Sequence, residues 1–248
     1  RIYYAGLLAP TSTPYIIQEL RRLAATSKSG KVTIIAHSNG GLVAKRLSQL
    51  LGAEADDLID TMIFVAVPQE GTPMAIAAGL HGFEQAHGPG GLITTEATAR
   101  TFASTSPMFY NLLPSAGYMS HVLDPIISFD LSLPDWITRY GSAISSGEGL
   151  HEFLTDSFGR VNSQSNNTDQ PIQLSDSLLA QSELLHTTLD VWTPPDGIEL
   201  IQIAGWGVPT TVSGITYTKK GNGVQPEMNF TIDGDGTVVV PSALATGA

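Results

Sequence analysis

The chain has 248 residues, of which 42% are hydrophobic and 14% are charged, and its formal net charge at pH 7 is −11. This charge disfavours nucleic acid and anionic membrane surfaces as partners, because both attract clustered Lys and Arg. The absence of cysteine excludes disulfides, thiolate catalysis and cysteine metal sites. No apolar run is long enough to form an integral membrane segment. The low charge density favours a secreted or lumenal setting.

The first strand-like run, Ile2–Ala5, stands at the very beginning of the chain and follows Arg1 rather than a methionine. This beginning predicts a fragment or a processed product. The next pattern is helical, because Pro14 stands at a suitable first position and apolar residues follow at helical spacing. These residues are Tyr15, Ile16, Leu20 and Leu23.

Three further apolar runs are bounded by turn residues, as is typical of buried parallel strands. They are Val32–Ala36, Thr61–Val67 and Glu199–Ala204. A second helical pattern follows the first of these runs, with apolar residues at Leu42, Val43, Leu47, Leu50 and Leu51. The alternation of strands and helices predicts an α/β fold with a mostly parallel sheet and helices on both faces.

Between residues 79 and 194 this alternation is lost, and loop-like or polar stretches appear at 81–91, 104–120 and 161–170. The segment is not low-complexity disorder, because it holds large apolar side chains that require burial. They are Phe102, Phe109, Tyr110, Trp136, Phe153, Leu154, Leu179, Leu184 and Leu185. We therefore expect a cap at 79–194, inserted between two parts of an α/β core at 1–78 and 195–248.

The pentapeptide at 36–40, Ala-His-Ser-Asn-Gly, lies between the first of these three runs and the second helical pattern. A serine at a strand-to-helix turn of this kind is held in a strained backbone, which projects its hydroxyl from the sheet edge and requires small flanking residues. Ala36 and Gly40 are small, so the segment departs from G-x-S-x-G by one methyl group. Ser38 is therefore the candidate nucleophile.

Two residues of this turn also have a non-catalytic interpretation. Ser38 could simply cap the following helix, because Ser is favoured at that position. His37 is adjacent to the serine on a sharp turn, so its side chain is directed elsewhere. We interpret His37 as a packed residue and not as the catalytic base.

An activated serine needs a base and an acid that orients the base, and the acid should follow a later strand. The strand-like run Met228–Ile232 leads into Asp-Gly-Asp-Gly-Thr-Val at 233–238, where glycines permit a sharp turn. Asp235 is the candidate acid, and Asp233 shapes the turn. A plain Asp-Gly turn remains an alternative. So does a calcium loop, although the glycine and distal glutamate of an EF-hand are missing.

Three blocks of sequence carry a resemblance to a known family. They are AHSNGGLVAK at 36–45, IAGWGVPT at 203–210 and DGDGTV at 233–238. Together they resemble, in the same order, the lecithin:cholesterol acyltransferase and lysosomal phospholipase family. The segment Val67–Pro73 is similar to the turn after the next core strand there. The resemblance implies an α/β-hydrolase fold with a cap and a Ser-Asp-His triad that hydrolyses or transfers acyl chains of lipids.

By this resemblance, Ser38 is the nucleophile, Asp235 is the triad acid and the backbone N–H of Asn39 is an oxyanion donor. The block at Gly205–Gly207 is expected in a loop near the carboxylate. The family's histidine follows the acid, but residues 236–248 contain none. Its second oxyanion donor would precede Ile2–Ala5. We therefore expect a chain that is truncated at both ends, with no cofactor and no metal.

Histidines elsewhere in the chain are possible substitutes for the missing base, because chain order alone forbids none of them. They are His81, His87, His121, His151 and His186. Solitary histidines in loops and caps are more often packed or surface residues than catalytic ones.

An apolar, aromatic cap without basic clusters favours a lipid-like or small ester over a phosphorylated substrate, with transient contact to a lipid surface. The sequence thus predicts a serine-dependent lipase, esterase or O-acyltransferase that forms an acyl-enzyme on Ser38. The alternative is a non-catalytic binding module on a truncated hydrolase scaffold, which the missing base favours. The oligomeric state is not indicated.

Overall fold

The computed structural model describes residues 13–87 and 93–245. The predicted strand Ile2–Ala5 lies outside these residues. Within the two described ranges, no helix combines the length and the apolar character that a membrane crossing requires.

The described residues form two sheets surrounded by helices. The strands are β1 (Val32–His37), β2 (Ile59–Val65), β3 (Ile127–Phe129), β4 (Ala143–Ile144), β5 (Glu199–Ile203), β6 (Thr211–Lys220) and β7 (Gly223–Thr231). The helices are α1 (Thr13–Thr26), α2 (Gly40–Leu51), α3 (Ala55–Leu58), α4 (Pro73–His81), α5 (Glu96–Thr105), α6 (Pro107–Tyr110), α7 (Ala116–His121), α8 (Pro134–Tyr140), α9 (Gly147–Thr155), α10 (Asp176–Leu189) and α11 (Val240–Ala243), with a 3-10 turn at Gly52–Glu54.

The first sheet is parallel, with strand order β1-β2-β5. Parallel neighbours require a crossover, and α2 supplies it between β1 and β2. The second crossover, from β2 to β5, contains the whole segment that lacks alternation in the sequence. The expected mixed α/β fold with a parallel sheet is confirmed, and the three strands lie within two residues of their predicted bounds.

One face of the first sheet is covered by α1 and α2. Leu20 of α1 and Leu47 of α2 pack with Met62 and Phe64 of β2 in one buried cluster. The opposite face is open in the described residues, where the side chains of Ile35, Ile201 and Ile203 are 72%, 39% and 51% exposed. The expectation of helices on both faces is therefore not met here. The reason is that alternate residues of β1 and β5 are exposed, as in strands that are covered on one side only.

The second sheet is mixed, with strand order β4-β3-β6-β7. β6 and β7 form an antiparallel hairpin around the two-residue turn Gly221–Asn222, a typical hairpin signal. The predicted run Met228–Ile232 is therefore part of a strand, but that strand belongs to the second sheet and not to the sheet that carries Ser38. Because β6 was not recognised in the sequence, its pairing with β7 was missed.

An aromatic cluster fills the core beneath the second sheet. Tyr217 of β6 stacks on Phe129 of β3 and on Trp136 of α8, with ring centroids 5.8 Å apart in both pairs. Most of the large side chains at 79–194 are buried as expected, but Phe102 and Leu184 are 74% and 72% exposed. The division at residues 78 and 194 stays a prediction, and this core joins segments from both sides of residue 194.

Arg100 holds the polar stretch at 161–170 in place. Its side chain is fully buried, and its guanidinium donates to the carbonyl oxygens of Leu80, Ser165, Asn167 and Gln170 at 2.7–3.1 Å. Carbonyl groups in a loop without secondary structure would otherwise be buried without donors. The Arg100 guanidinium therefore supplies donors to backbone carbonyl groups of this stretch, which has no regular secondary structure to supply them.

We expect Arg100→Met to lower the free energy of unfolding by about 3–5 kcal/mol, because four backbone carbonyl groups lose a buried charged donor that they share. Urea denaturation at neutral pH measures the change. The matched control is Arg46→Met, whose guanidinium donates to Gln49 at 3.1 Å with no further hydrogen bond among the described residues, and which should cost less than about 1 kcal/mol. Equal losses in the two variants would show that the Arg100 bonds do not organise the loop.

Candidate active site

The turn after β1 has the backbone strain expected of a nucleophile turn. Ser38 has φ of 54°, in the left-handed region that side-chain-bearing residues rarely adopt. Its N–H donates to Val65 O at 3.1 Å, and its carbonyl accepts from the Gly41 N–H at 3.0 Å. The first bond anchors the turn to β2 and the second starts α2. Such strain, of order 1–3 kcal/mol, is typical of functional sites.

Ser38 does not act as the cap of α2. The N-cap position belongs to Asn39, with φ of −53° and ψ of −20°, and no side chain there bonds to the first turn. The N–H groups at the start of a helix lack acceptors within the helix. The interpretation of Ser38 as a helix cap therefore has no support from the geometry. The predicted roles of Ser38 and of the Asn39 N–H stay predictions.

The side-chain oxygen of Asn39 is the second unusual feature of the turn. Oδ1 is buried and has no hydrogen-bond partner among the described residues. An unpaired buried acceptor costs about 1–3 kcal/mol, so such groups are rare outside sites with a special role. No sequence signal pointed to the side chain of Asn39. Two costly features, the φ of Ser38 and the orphan oxygen, thus fall on adjacent residues.

The glycine pair after the serine has unequal roles. A Cβ on Gly41 would lie 2.3 Å from Val67 Cγ1, whereas a Cβ on Gly40 would lie 3.9 Å from the Cβ of Ala36, an ordinary contact. Val67 follows β2 and packs directly on the first turn of α2. The sequence motif emphasises Gly40, but the close approach occurs at Gly41.

Asp235 is held by backbone hydrogen bonds of its own loop. Its Oδ1 accepts from the N–H groups of Thr237 at 2.9 Å and Val238 at 2.8 Å. Oδ2 has no hydrogen-bond partner among the described residues. A carboxylate fixed through one oxygen presents the other in a defined direction, as an orienting acid must.

The loop of Asp235 is bound to the end of β5, although it follows β7 in sequence. A Cβ on Gly205 would lie 2.5 Å from the Cβ of Asp235. The N–H groups of Gly207 and Val208 donate to Ile232 O at 2.8 Å and Gly234 O at 3.1 Å. The predicted position of Gly205–Gly207 beside the carboxylate is confirmed.

Ser38 and Asp235 are thereby placed at the same edge of the first sheet. Ser38 follows β1, Gly205 follows β5, and β2 lies between them. Neighbouring strands are about 4.8 Å apart, so the axes of β1 and β5 are about 10 Å apart. The Ala66 N–H donates to Ile203 O at 2.9 Å, which continues the sheet pairing to this edge. No hydrogen bond joins Ser38 to Asp235 in the described part of the chain.

The turn after β2, at Val67–Pro73, connects the two halves of this edge. Thr72 Oγ1 donates to Thr237 O at 2.5 Å, and Ser242 Oγ donates to Gly71 O at 2.5 Å. The first bond ties the turn to the loop that holds Asp235, and the second ties it to α11. The sequence predicted this segment as a turn, and the structure confirms that it follows β2.

Among the described residues, four of the five substitute histidines do not combine a carboxylate partner on one ring nitrogen with a free second nitrogen, as a serine base requires. His81 is buried between Thr168 O and the Tyr217 hydroxyl, both at 2.7 Å. His87 Nδ1 lies 3.0 Å from Gln85 O. His151 is bonded to Glu183 and Asp176 through its two nitrogens, and His186 to Asp190 Oδ1 and Asn111 O. His37, interpreted from the sequence as packed, is exposed.

His121 differs from these four. Its Nδ1 lies 3.0 Å from Oε2 of Glu70, whose side chain is 2% exposed, while the ring is 52% exposed. Burial raises the pKa of Glu70, and the hydrogen bond from His121 opposes that rise. Nε2 has no partner in the described residues. Glu70 was not singled out in the sequence, because a glutamate in a Gly-Thr-Pro turn carries no catalytic signal.

No family model and no curated protein matches the chain. Among solved structures, it is similar to a chain in the crystal structure of the Tle4–Tli4 complex, with a TM-score of 0.50 and 16% sequence identity. The match covers 95% of this chain and 54% of that chain, so this chain spans about half the length of its neighbour. At this identity the likeness concerns the fold alone.

We expect Gly41→Ala to destabilise the protein by about 1–3 kcal/mol, because the added methyl group meets Val67. Gly40→Ala is the matched control, and it should be neutral or slightly stabilising because Ala is the better helix residue. Thermal and urea unfolding of both variants measure the difference. Equal effects would mean that Val67 does not brace the turn.

His81 should make stability depend on pH. Burial lowers the pKa of His81 from 6.5 to about 4. A proton therefore binds His81 more tightly in the unfolded chain than in the folded one. The free energy of unfolding is retained above pH 6.5 and falls as the pH drops from 6.5 towards 4, by about 3 kcal/mol in total. Urea unfolding at pH 7 and pH 4.5 measures the fall.

His81→Gln should remove this part of the pH dependence, whereas His87→Gln should leave it unchanged because His87 is exposed. A pH profile that is the same in His81→Gln as in the unchanged protein would contradict the assignment.

Proposed function

We propose that Ser38 is the nucleophile of a serine-dependent acyl hydrolase or acyltransferase with an α/β-hydrolase fold. The observation that carries the proposal is the left-handed backbone of Ser38 between a parallel strand and a helix. This conformation costs free energy at a non-glycine residue, and Ser38 gains no cap bond in return. The cost is consistent with a hydroxyl that must project from the sheet edge. The resemblance to the lecithin:cholesterol acyltransferase and lysosomal phospholipase family agrees with this role.

The proposed reaction proceeds through an acyl-enzyme. The Ser38 oxygen bonds to the acyl carbon of an ester while its proton passes to an imidazole base, and the carbonyl oxygen becomes an oxyanion. The Asn39 N–H donates to this oxyanion. When the intermediate collapses, the alcohol leaves with the proton from the base. Water or a second alcohol then attacks the acyl group on Ser38 and regenerates the hydroxyl.

Asp235 orients the base in this proposal. Its Oδ1 is occupied by two backbone N–H groups, so Oδ2 is the oxygen that would accept from an imidazole Nδ1. A separation of about 10 Å between the axes of β1 and β5 leaves space for an imidazole between Ser38 and Asp235. The family resemblance assigns the base to a histidine that follows Asp235 in sequence.

The proposed substrate is a lipid-like or small uncharged ester. This rests on the apolar composition of segment 79–194 and on the scarcity of basic residues, 12 Lys and Arg in the whole chain. A phosphorylated or polyanionic substrate would require a basic cluster for recognition. Contact with a lipid surface would then be transient.

The competing function is a binding module that retains the scaffold without catalysis. It is favoured by one observation: in the described residues, no histidine forms a hydrogen bond with Ser38. A serine without a base is a weak nucleophile at neutral pH. Chemical labelling of the serine distinguishes the two functions.

A fluorophosphonate probe should label the full-length protein at Ser38, and Ser38→Ala should abolish labelling and turnover while changing the free energy of unfolding by less than about 0.5 kcal/mol. The control is Ser29→Ala, at an exposed serine in a loop, which should label normally. Absence of labelling in the unchanged full-length protein would favour the binding module. A large loss of stability in Ser38→Ala would mark Ser38 as structural.

Asp235→Asn should lower kcat by about 10⁴-fold, because the base loses its correct tautomer and orientation. The matched control is Glu70→Gln, which removes the buried carboxylate that contacts the His121 imidazole. We expect turnover to be nearly unchanged in Glu70→Gln. The reverse result, with a large loss in Glu70→Gln alone, would transfer the acid and base roles to Glu70 and His121.

A further inference from the structure

A cavity of about 890 Å³ lies between α7, α9 and α10, and none of Ser38, Asn39 and Asp235 lines it. Its volume falls within the range of small-molecule sites, about 300–1,000 Å³. The walls are mainly apolar. They include Leu150, Leu154, Leu179, Ala180, Leu184 and Val191.

Polar bridges fix the walls of this cavity. His151 of α9 lies 2.8 Å from Glu183 and 2.9 Å from Asp176, both on α10. Gly117, at the start of α7, packs closely against Asp190, which follows α10. A Cβ atom on Gly117 would lie 2.7 Å from Oδ2 of Asp190. The three helices are therefore held around an apolar space that no side chain fills.

Two apolar side chains of the lining are unusually open to solvent. Leu184 and Val191 are 72% and 77% exposed, although α10 buries its other face against Leu42 and Lys45 of α2. Exposed aliphatic side chains that adjoin a cavity gain free energy when an apolar ligand covers them, about 25 cal/mol per Å² of area removed from water. This favours an alkyl chain as the occupant.

The charges of the lining favour a cation. Four carboxylates line the cavity, those of Glu148, Glu152, Glu183 and Asp190. Within the described residues, the lining includes no Lys or Arg. Glu183 and Asp190 are paired with His151 and His186. Glu152 reaches only Arg139, at 4.0 Å, and Glu148 forms no ion pair or hydrogen bond among the residues at 13–87 and 93–245. An excess of negative charge therefore remains.

We propose that this cavity binds a single-chain amphiphile with a cationic head group. The alkyl chain lies among Leu150, Leu154 and Leu179, and the head group lies against the unpaired carboxylate of Glu148. A fatty-acid anion would meet like charge and no Lys or Arg of the described lining, and the two lining histidines are already paired with Glu183 and Asp190, so it is disfavoured. The inference does not depend on the proposed function of Ser38.

A small molecule fits the cavity better than a peptide helix does. A helix with its side chains is about 10–12 Å across and needs an open groove along several turns. The lining residues of α9 and α10 are instead bridged by the His151 ion pairs, which would obstruct such a groove.

Titration calorimetry of the full-length protein with three dodecyl compounds tests the proposal. The compounds are dodecyltrimethylammonium, dodecanoate and dodecyl maltoside, each below its micelle concentration. We expect one-to-one binding of dodecyltrimethylammonium with a Kd at least about tenfold lower than for the other two. Equal Kd values for all three, or an absence of saturable one-to-one binding, would overturn the proposal.

Two variants locate the binding. Ala180→Trp, at an exposed position of α10 that lines the cavity, should weaken binding at least about tenfold without lowering Tm. Its control is Ala25→Trp, at an exposed position of α1. Glu148→Lys should reverse the preference for the cation, whereas Glu199→Lys, at an exposed position on β5, should not.

Binding that persists unchanged in Ala180→Trp, or a preference that persists unchanged in Glu148→Lys, would contradict the assigned site. Ser38→Ala should bind dodecyltrimethylammonium as the unchanged protein does. This result is independent of fluorophosphonate labelling, so the cavity proposal and the catalytic proposal fail separately.

Discussion

The left-handed backbone of Ser38 is the constraint on which the candidate site depends. Its cost is offset by β1–β2 pairing, by the bond from the Ser38 N–H to Val65 O, and by the packing of Val67 against Gly41. Because these contacts come from β2 and α2, the turn cannot relax without disturbing the parallel sheet. Strand pairing and helix start thereby fix where the hydroxyl lies.

Asp235 lies at the same sheet edge, although it follows a strand of the other sheet. β7 belongs to the second sheet, yet the loop after it returns to the end of β5, where Gly205 permits contact with Asp235. Thr72 then ties that loop to the turn after β2. The two sheets meet at this edge, so the candidate site and the contact between the sheets share the same residues. Within the described residues, the carboxylate of Asp235 accepts hydrogen bonds from backbone N–H groups only.

Local patterns predicted the elements that depend on neighbouring residues. Apolar runs bounded by turn residues indicated the strands of the first sheet, and small residues around Ser38 indicated the nucleophile turn. Long-range pairing is not accessible to such patterns: the run Met228–Ile232 predicts a strand, but it does not indicate the partner β6 that places this strand in the second sheet. The expected burial of Leu184 was likewise wrong, because helical spacing does not indicate which face of a helix packs against the rest of the protein. The carboxylate partners of His121 and His151 lie 25–51 residues away in sequence, so they leave no local pattern.

The most direct test of Ser38 as the nucleophile is detection of an acyl group on its hydroxyl. The full-length protein is mixed with a p-nitrophenyl ester, quenched in acid and digested with trypsin, and the peptide Val32–Lys45 is analysed by tandem mass spectrometry. We predict a peptide heavier by one acyl group, with the added mass at Ser38. Ester turnover without any acylated Val32–Lys45 peptide, or acylation at another residue, would contradict this role of Ser38.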